Sequence, residues 1–307
     1  MIISSATAGS EWFLNGISNL QQQQAQTTRQ LSSGYQVQDA SDSPSQTPQL
    51  IDLGSSLASV QAWQTNLVRV QAEASGADQA LGSAVSLIDS ARTLAAQAAN
   101  TTASPQTLQT ISTQIQAIQQ QLVSLSNTAV EGRYIFGGNQ DQSVPYSFDP
   151  TTGTVSALTT PTGSRVIVNP QGQTVYQGLT AGQIFDPQDA LGVSTTNSSF
   201  AALQSLQTAL QTNSQTGVAS ALTLLENAAG YLNQQQSYYG ASEQRLTSEQ
   251  NNATSQSTAL QITISGIRDT NVTQAATDLA QETTNQSAAI GAEAEISQQK
   301  SLFSYLG

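Results

Sequence analysis

Apolar side chains recur every seven residues over positions 218–267 of the chain. The series consists of Val218, Leu225, Leu232, Tyr239, Leu246, Ala253, Leu260 and Ile267. Because an α-helix completes a turn every 3.6 residues, a strict period of seven places these side chains on one slowly winding stripe. A stripe of this kind cannot be buried within its own helix. The pattern therefore predicts a long helix that packs against a partner helix running alongside it.

Helical spacing of apolar residues also appears in five other segments, which cover positions 10–34, 50–100, 105–129, 200–210 and 271–306. The packing stripe, or seam, of the first segment mixes apolar and polar members: Phe13, Ile17, Leu20, Gln24, Thr27 and Leu31. Ser104 followed by Pro105 is a strong helix-start signal, because serine caps the first backbone amides and proline fits the first turn. Between the first two segments, Pro44 and Pro48 stand in a run of Asp and Ser, which predicts a non-helical break.

A different pattern begins at Glu131 and continues to about Ser198. Short runs of β-prone residues are separated by turns rich in Gly, Pro, Asn and Asp, and these runs occupy positions 134–136, 144–148, 154–158, 165–168 and 174–176. Strands of this length joined by such turns are typical of an antiparallel sheet. The sequence therefore predicts a small β domain that interrupts the helical part of the chain.

The helical segments at the two ends of the chain have comparable lengths, which favours pairing of the outer segments with each other and of the inner segments with each other. The predicted fold is mainly α with a β insertion. It is an elongated antiparallel coiled-coil or helical-bundle rod of paired N- and C-terminal segments, with a small antiparallel β domain at the tip. Three domains follow: a terminal coiled-coil assembly domain (1–45 with 270–307), a helical rod domain (46–132 with 199–269) and an inserted β-rich domain (133–198).

The outer pair of helical segments has many small or polar seam residues and would bury little apolar surface by itself. At about 25 cal/mol per Å², such burial hardly offsets the ~1–2 kcal/mol per residue that ordering costs. We expect the termini to be disordered in the free monomer and to fold on assembly, although ordinary fraying without a function is the alternative. The predicted assembly interface consists of Trp12, Phe13, Ile17, Leu20, Leu31, Leu279, Ile290, Ile296, Phe303 and Leu306.

The composition narrows the possible functions. Only 9% of the residues are charged, the formal net charge is −12, and Lys300 is the only lysine. Without a basic patch, neither nucleic-acid binding nor attraction to an anionic membrane is expected. No stretch approaches the ~20 apolar residues that a membrane-spanning helix needs, so no membrane insertion is predicted. The first residues lack the basic and apolar regions of a secretory signal peptide, so export would need another route.

The chain contains no cysteine and no histidine. Thiol nucleophiles, Ser-His-Asp triads and His-ligated metal sites are thereby excluded, and we predict no cofactor and no metal. Paired carboxylates, such as Asp186 with Asp189 or Asp141 with Asp149, are conceivable acid and base partners. In turns rich in Asp, Gly and Pro, such residues more often shape the backbone. The chain is therefore not predicted to be an enzyme.

A binding function for the β region is a further alternative. Tyr146, Phe148 and Tyr176 could stack on sugars if the protein were a secreted glycan-binding adhesin. Burial of these rings in the core of a small β domain is the simpler interpretation.

Five short motifs follow one another along the chain: RQLSSG at 29–34, SDSP at 41–44, ARTLAAQAANTT at 91–102, EGRYIFGG at 131–138 and SLFSYL at 301–306. Their order and positions resemble the flagellin superfamily over about 1–140 and 200–307. The Tyr-Ile-Phe-Gly-Gly element is most similar to the hook–filament junction branch of that superfamily, the hook-associated protein 3 group. The residues that match the family motifs are Arg92, Leu94, Gln97, Asn100, Gly132, Tyr134, Ile135, Phe136, Gly137 and Gly138.

The resemblance implies a structural protein of the bacterial flagellum that catalyses no reaction. Members of this family leave the cell through the flagellar type III export channel, without a cleaved signal peptide, and a cytoplasmic export chaperone is an implied partner. The implied location is extracellular, at the hook–filament junction. There the subunits would form a homo-oligomeric ring between a neighbouring hook-associated protein and flagellin. A filament-forming flagellin of reduced length is the alternative within the family.

Overall fold

The computed structural model describes residues 3–99 and 104–298, and it describes side chains over 11–99 and 104–295. Six short strands lie between the third and fourth helices. The predicted fold class, mainly α with a β insertion, is confirmed. Within the described residues the α-helices are α1 (Ile3–Ser33), α2 (Thr47–Ala98), α3 (Pro105–Ser126), α4 (Ala181–Phe185), α5 (Ser199–Gln211), α6 (Gln215–Arg268) and α7 (Val272–Gln298).

The chain divides into two compact units. The first contains residues up to Val60 together with those from Ser255 onward, and the second contains Gln61 to Thr254. Helices α2 and α6 contribute residues to both units. The finer division into three domains stays a prediction.

Helices α2 and α6 run antiparallel within the second unit. The amide of Gln64 donates to the Thr254 hydroxyl at 3.3 Å, and a guanidinium nitrogen of Arg92 lies 3.5 Å from Glu226. As residue numbers rise along α2, the numbers of the facing residues on α6 fall. The seven-residue stripe explains this packing, because its six members in this unit are buried: Val218, Leu225, Leu232, Tyr239, Leu246 and Ala253. The two later members, in the first unit, are half-buried.

Helix α3 begins where the sequence predicted. The Ser104 side chain accepts the backbone N–H of Thr107 at 3.2 Å, and Pro105 occupies the first helical position. The helix ends at Ser126, before the predicted end at Ala129. The earlier end has a physical reason in the hairpin that follows.

That hairpin pairs β1 (Ala129–Val130) with β2 (Arg133–Tyr134). Its turn holds Glu131 and Gly132 at positive φ angles of 51° and 77°. A tight two-residue turn with positive φ matches the twist of antiparallel strands. The helical spacing of Ala129 was therefore misleading, because its backbone bonds to a strand.

Two further antiparallel hairpins complete the β region. Strands β3 (Tyr146–Asp149) and β4 (Thr154–Ala157) form one, and β5 (Val166–Val168) and β6 (Thr174–Gln177) form the other. The predicted runs at 134–136, 144–148, 154–158, 165–168 and 174–176 each contribute to a strand, whereas β1 was not predicted. The strands form three separate two-stranded sheets.

Carboxylates in this region shape turns. Asp149 accepts the N–H of Thr151 at 2.9 Å and the hydroxyl of Thr152 at 2.8 Å, and these bonds lower the pKa of Asp149. Asp189 accepts the backbone N–H groups of Leu191 and Val193 at 2.9 and 3.0 Å. The contacts are those of turn-forming side chains.

The core of the second unit holds a cluster of aromatic rings. Phe136 meets Phe185 edge-on with ring centroids 5.6 Å apart, and Tyr239 edge-on at 6.3 Å. The hydroxyl of Tyr239 accepts the N–H of Leu179 at 3.0 Å. Phe185 reaches the cluster from α4, a helix too short to show a period in the sequence and held by a capping box at Thr180. The cluster consists of Phe136, Tyr146, Tyr176, Phe185, Phe200 and Tyr239.

Alkaline pH is expected to destabilise this core. Burial raises the pKa of Tyr146, Tyr176 and Tyr239 above the ordinary value of tyrosine. In the unfolded chain these hydroxyls ionise near pH 10. The free energy of unfolding is therefore unaffected by them below pH 10 and falls as the pH rises above it. The loss is about 1.4 kcal/mol per pH unit for each tyrosine that stays protonated in the fold. Urea denaturation at pH 9, 10 and 11 measures it.

Tyr146→Phe is the control for this prediction. Among the described residues the Tyr146 hydroxyl has no hydrogen-bond partner, so its removal should reduce the loss above pH 10 by about one third without another penalty. Tyr231 and Tyr238, whose pKa partial burial also raises, titrate in the same range, so the one-third share refers to the three core tyrosines. Equal stability at pH 9 and pH 11 would contradict the prediction.

Candidate assembly interface

Helix α1 ends in a left-handed glycine and then meets the start of α7. Gly34 has a φ of 78°, which side-chain-bearing residues rarely adopt, and its carbonyl accepts the N–H of Thr270 at 2.9 Å. Tyr35 and Asp269 form an isolated antiparallel bridge beside this contact. The guanidinium of Arg268 lies 4.3 Å from the centre of the Tyr35 ring. The end of α1 and the beginning of α7 are thus joined within the first unit.

From this junction, α1 and α7 pack antiparallel along one seam. Residue 24 of α1 contacts residue 283 of α7, and residue 27 contacts residue 282. The facing residue on α7 thus has a lower number as the residue number on α1 rises. Most apolar members of the seam are half-buried rather than buried. Since half-covered apolar side chains leave surface exposed to water, this helix pair is an incomplete core.

The predicted interface residues fall into three groups. Phe13, Ile17, Leu20, Leu31 and Leu279 lie half-buried in the seam. Trp12 is 81% exposed and Ile290 is 54% exposed, so both point away from it. Ile296 belongs to α7, but its side chain lies outside the described residues, as do Phe303 and Leu306 entirely.

Further exposed apolar side chains occur in the first unit that the sequence did not single out. They share no register with the predicted seams, so periodicity gave no signal for them. They are Leu14, Ile51 and Ile262.

The proline-containing break between α1 and α2 is an ordered turn. The Asp42 carboxylate accepts the backbone N–H groups of Asp39 and Gln38 at 2.9 and 3.0 Å, and these bonds lower the pKa of Asp42. Asp42 and the neighbouring residues therefore act on the backbone, as Asp and Ser do in turns.

The motif residues near the end of α2 are not gathered into one site. Arg92 forms an exposed ion pair with Asp89 at 2.9 Å and a longer one with Glu226. Leu94 is half-buried and Gln97 is exposed, whereas Asn100 lies outside the described residues.

The motif at 132–138 is a packing element. Phe136 is fully buried in the aromatic cluster, and its carbonyl accepts the N–H of Ala181 at 2.8 Å. A Cβ on Gly137 would stand 2.7 Å from the backbone of Asp141, and one on Gly138 would stand 2.6 Å from the Gly163 carbonyl. The two glycines are needed because the backbone passes this close. Tyr134 and Ile135 are half-buried, and Gly132 lies in the preceding turn.

A buried ion pair joins α2 to the β region. Arg165 lies 2.6 and 2.8 Å from the two carboxylate oxygens of Glu73. The Glu73 side chain is 8% exposed. The sequence carries no signal for this pair, because the partners are 92 positions apart and neither belongs to a recognisable motif.

A cleft of about 370 Å³ lies in the β region and includes Pro145, Tyr146, Asp186 and Tyr231 in its lining. The Asp186 carboxylate is held by the Ser198 hydroxyl at 2.6 Å. Tyr176 is buried in the core, and Tyr146, although it lines the cleft, is only 6% exposed and has its ring against Phe200, so neither ring presents a face on which a sugar could stack. The glycan-binding alternative therefore loses two of its three candidate aromatic residues.

No helix in the described part of the chain is both long and apolar enough to cross a bilayer. Over residues 3–99 and 104–298 there is also no group of three or more acidic side chains placed to hold a metal ion.

Comparison with known families agrees with this architecture. The model of the bacterial flagellin N-terminal helical region matches residues 7–141, and that of the flagellin C-terminal helical region matches residues 222–306. Together they span about 70% of the chain. The chain belongs to the flagellin superfamily. The matches include the helices α1 and α7 that form the candidate interface.

Two individual relatives are flagellar hook-associated proteins 3. That of Escherichia coli K12 is 29% identical over 206 residues, which cover 65% of this chain and 63% of the relative. That of Salmonella typhimurium LT2 is 33% identical over 143 residues, which cover 46% of this chain and 44% of the relative. The chain thus spans less than two thirds of the length of the relatives that it matches.

Three solved structures share the fold. A Vibrio parahaemolyticus protein assigned to the flagellar hook-associated proteins has a TM-score of 0.64 at 17% identity, over 74% of this chain and all of that one. FlgL of Bacillus cereus has a TM-score of 0.56 at 20% identity, over 70% and 99% of the two chains. Flagellar hook-associated protein-3 of Legionella pneumophila has a TM-score of 0.57 at 14% identity, over 70% and 98%. At these identities the likeness establishes the fold.

Proposed function

We propose that the protein is a non-enzymatic structural subunit of the bacterial flagellum that joins hook to filament through ring-like self-assembly. The observation that carries the proposal is the incomplete α1–α7 pair, which has a half-buried seam and exposed Trp12 and Ile290. Large apolar side chains left exposed beside a half-covered seam are candidates for contact with a partner protein. Membership of the flagellin superfamily and the similarity to hook-associated proteins 3 support the same role.

In this proposal each copy contributes α1 and α7 to a shared bundle of helices. Its other neighbours are an adjoining hook-associated protein on one side and flagellin on the other. Export through the flagellar type III channel, with a cytoplasmic chaperone, would deliver the chain to an extracellular site at the hook–filament junction. The ten predicted interface residues stay proposals, and those beyond 295 complete the surface in this scheme.

Replacing both Trp12 and Ile290 with serine is expected to block assembly without unfolding the monomer. Both side chains are exposed, so the free energy of unfolding should change by no more than about 0.5 kcal/mol. Binding of the full chain to hooks that carry the adjoining hook-associated protein should fall at least tenfold, because these side chains lose their apolar contacts with neighbouring copies. Electron microscopy and sedimentation of decorated hooks measure this.

Leu191→Ser is the matched control, since Leu191 is 87% exposed in the second unit and outside the predicted interface. That variant should assemble normally. Normal binding by the Trp12/Ile290 double variant would overturn the proposed interface. The wild-type chain should stop after one or two layers on the hook, whereas unlimited growth would identify it as a filament flagellin.

A further inference from the structure

The cleft in the β region contains a buried hydroxyl group that has no partner. Tyr146 lines this cleft and is only 6% exposed, yet its hydroxyl forms no hydrogen bond with a described residue. A Cβ added to Gly182, which also lines the cleft, would stand 3.6 Å from that hydroxyl. Because Gly182 carries no Cβ, this side of the hydroxyl stays uncovered. A buried polar group without a partner costs stability, so a ligand that supplied one would be favoured.

A carboxylate without a counter-ion lies in the same cleft. Asp186 is half-buried and accepts the Ser198 hydroxyl at 2.6 Å and the Gln188 amide at 3.3 Å. It makes no ion pair with a described residue. Burial and the charge of Asp186 both raise the pKa of Tyr146, so the carboxylate and the phenol lie close enough to interact. The two groups can therefore act on one ligand.

The other walls of the cleft combine apolar rings with free backbone groups. Pro145, Pro161 and Pro187 line it, and so do Thr159 and Thr160, which follow strand β4. The backbone N–H and C=O groups of these two threonines form no hydrogen bond with a described residue. Free backbone groups of this kind can pair with an extended peptide. The volume of about 370 Å³ is at the low end for ligand pockets, so it suits one long side chain and a short stretch of backbone.

An arginine side chain fits these groups best. Its guanidinium is planar, always charged and carries five N–H donors. One edge can bind the Asp186 carboxylate, while a further N–H reaches the oxygen of the Tyr146 hydroxyl. The hydroxyl of Tyr231 is already bonded to the Gln183 carbonyl at 2.7 Å, which leaves the Tyr231 ring in the cleft wall for the guanidinium plane to stack on. The net charge of −12 adds attraction for a cation.

A second copy of the chain offers no suitable arginine. Five of its seven arginines lie on α-helices, and Arg133 lies in strand β2. The remaining one, Arg165, is held by Glu73. None is therefore presented on a free extended segment that could enter the cleft, and the ligand has to come from a different protein.

We propose that this cleft binds an arginine side chain on an extended segment of another protein. Asp186 forms the ion pair, the Tyr146 hydroxyl accepts an additional hydrogen bond, and the backbone at 159–160 pairs with the backbone of the segment. The site is formed entirely by the second unit. It is thus distinct from the α1–α7 surface, and the inference goes beyond the assembly role proposed above.

The test titrates the full chain, labelled with nitrogen-15, with the blocked tripeptide acetyl-Gly-Arg-Gly-amide. The backbone amide signals of Thr160, Gly182 and Gln183 should shift in a saturable way. The matched peptide with citrulline in place of arginine has nearly the same shape without the charge, and should bind at least tenfold more weakly. A lysine peptide should bind with intermediate affinity, because an ammonium group lacks the planar fork.

Three variants locate the binding. Asp186→Asn keeps an acceptor for Ser198 but removes the charge, and should weaken binding of the arginine peptide at least tenfold. Gly182→Ala should weaken it at least fivefold, because the added methyl covers the Tyr146 hydroxyl at an ordinary contact distance. Asp189→Asn is the matched control, since Asp189 is an exposed carboxylate outside the cleft lining. It should bind as the wild type does, and circular dichroism checks that every variant is folded.

Equal binding of the arginine and citrulline peptides would overturn recognition of the guanidinium. Undiminished binding by Asp186→Asn would overturn the assignment to this cleft. Shifts of the same amide signals on raising the protein concentration without peptide would identify the occupant as a second copy, which contradicts the choice of another protein. The titration needs no assembly on hooks, so failure of the proposed flagellar role would leave its result intact.

Discussion

Replacing Arg165 with glutamine is expected to lower the free energy of unfolding of the second unit by about 3–5 kcal/mol. The guanidinium of Arg165 faces both carboxylate oxygens of Glu73 at 2.6 and 2.8 Å. The glutamate side chain is 8% exposed and that of the arginine 22%. Removal of the arginine leaves a charge where water cannot hydrate it, which is the costly way to break a buried pair. Urea denaturation followed by near-ultraviolet circular dichroism measures the change.

Two variants make this prediction specific. Arg92→Gln breaks an ion pair whose partners are far more exposed, and should cost less than about 1 kcal/mol. The double variant Glu73→Leu with Arg165→Met removes both charges at once and should recover most of the lost stability, because apolar residues of similar volume often replace a buried pair at little cost. An Arg165→Gln variant no less stable than Arg92→Gln would show that the pair contributes little.

Arg165 also shows where inference from the sequence ends. The long helices were predictable because each has a local sequence signal, either a seven-residue apolar repeat or a capping residue such as Ser104. A contact between Glu73 and Arg165 has no local signal, since it depends on how the β region folds back onto α2. The short helix α4 was missed for a related reason: five residues are too few to display a helical period.

The sequence predicted where the candidate interface lies, but not how exposed each of its side chains is. The spacing of Phe13, Ile17 and Leu20 placed them on one face of α1, and the structure has all three in the seam with α7. The same spacing could not tell that Trp12 and Ile290 point outward, because exposure depends on the partner helix. The low apolar content of the seam did indicate a weak pair. The contact between Thr27 of α1 and Glu282 of α7 was not foreseen.

Replacing Phe136 with alanine is expected to cost about 3–5 kcal/mol of stability. Phe136 is fully buried and packs edge-on against two other rings. The variant therefore loses the free energy of transferring the ring from water and the packing contacts around the cavity that remains. The neighbouring backbone cannot easily collapse into this space, because Gly137 and Gly138 are already held against other backbone atoms. Chemical denaturation, with the near-ultraviolet signal of the aromatic cluster as a second probe, measures the loss.

Phe148→Ala is the matched control, because it removes the same side chain from a half-buried position in β3. It should cost clearly less, since part of that ring is already in water. The stability loss of Phe136→Leu should lie between those of Phe136→Ala and Phe148→Ala, because leucine refills part of the cavity. If Phe136→Ala were no more destabilising than Phe148→Ala, the Tyr-Ile-Phe-Gly-Gly element would not serve mainly in packing. The expected order would mean that this motif serves packing, in which Phe136 links the β region to Tyr239 of α6.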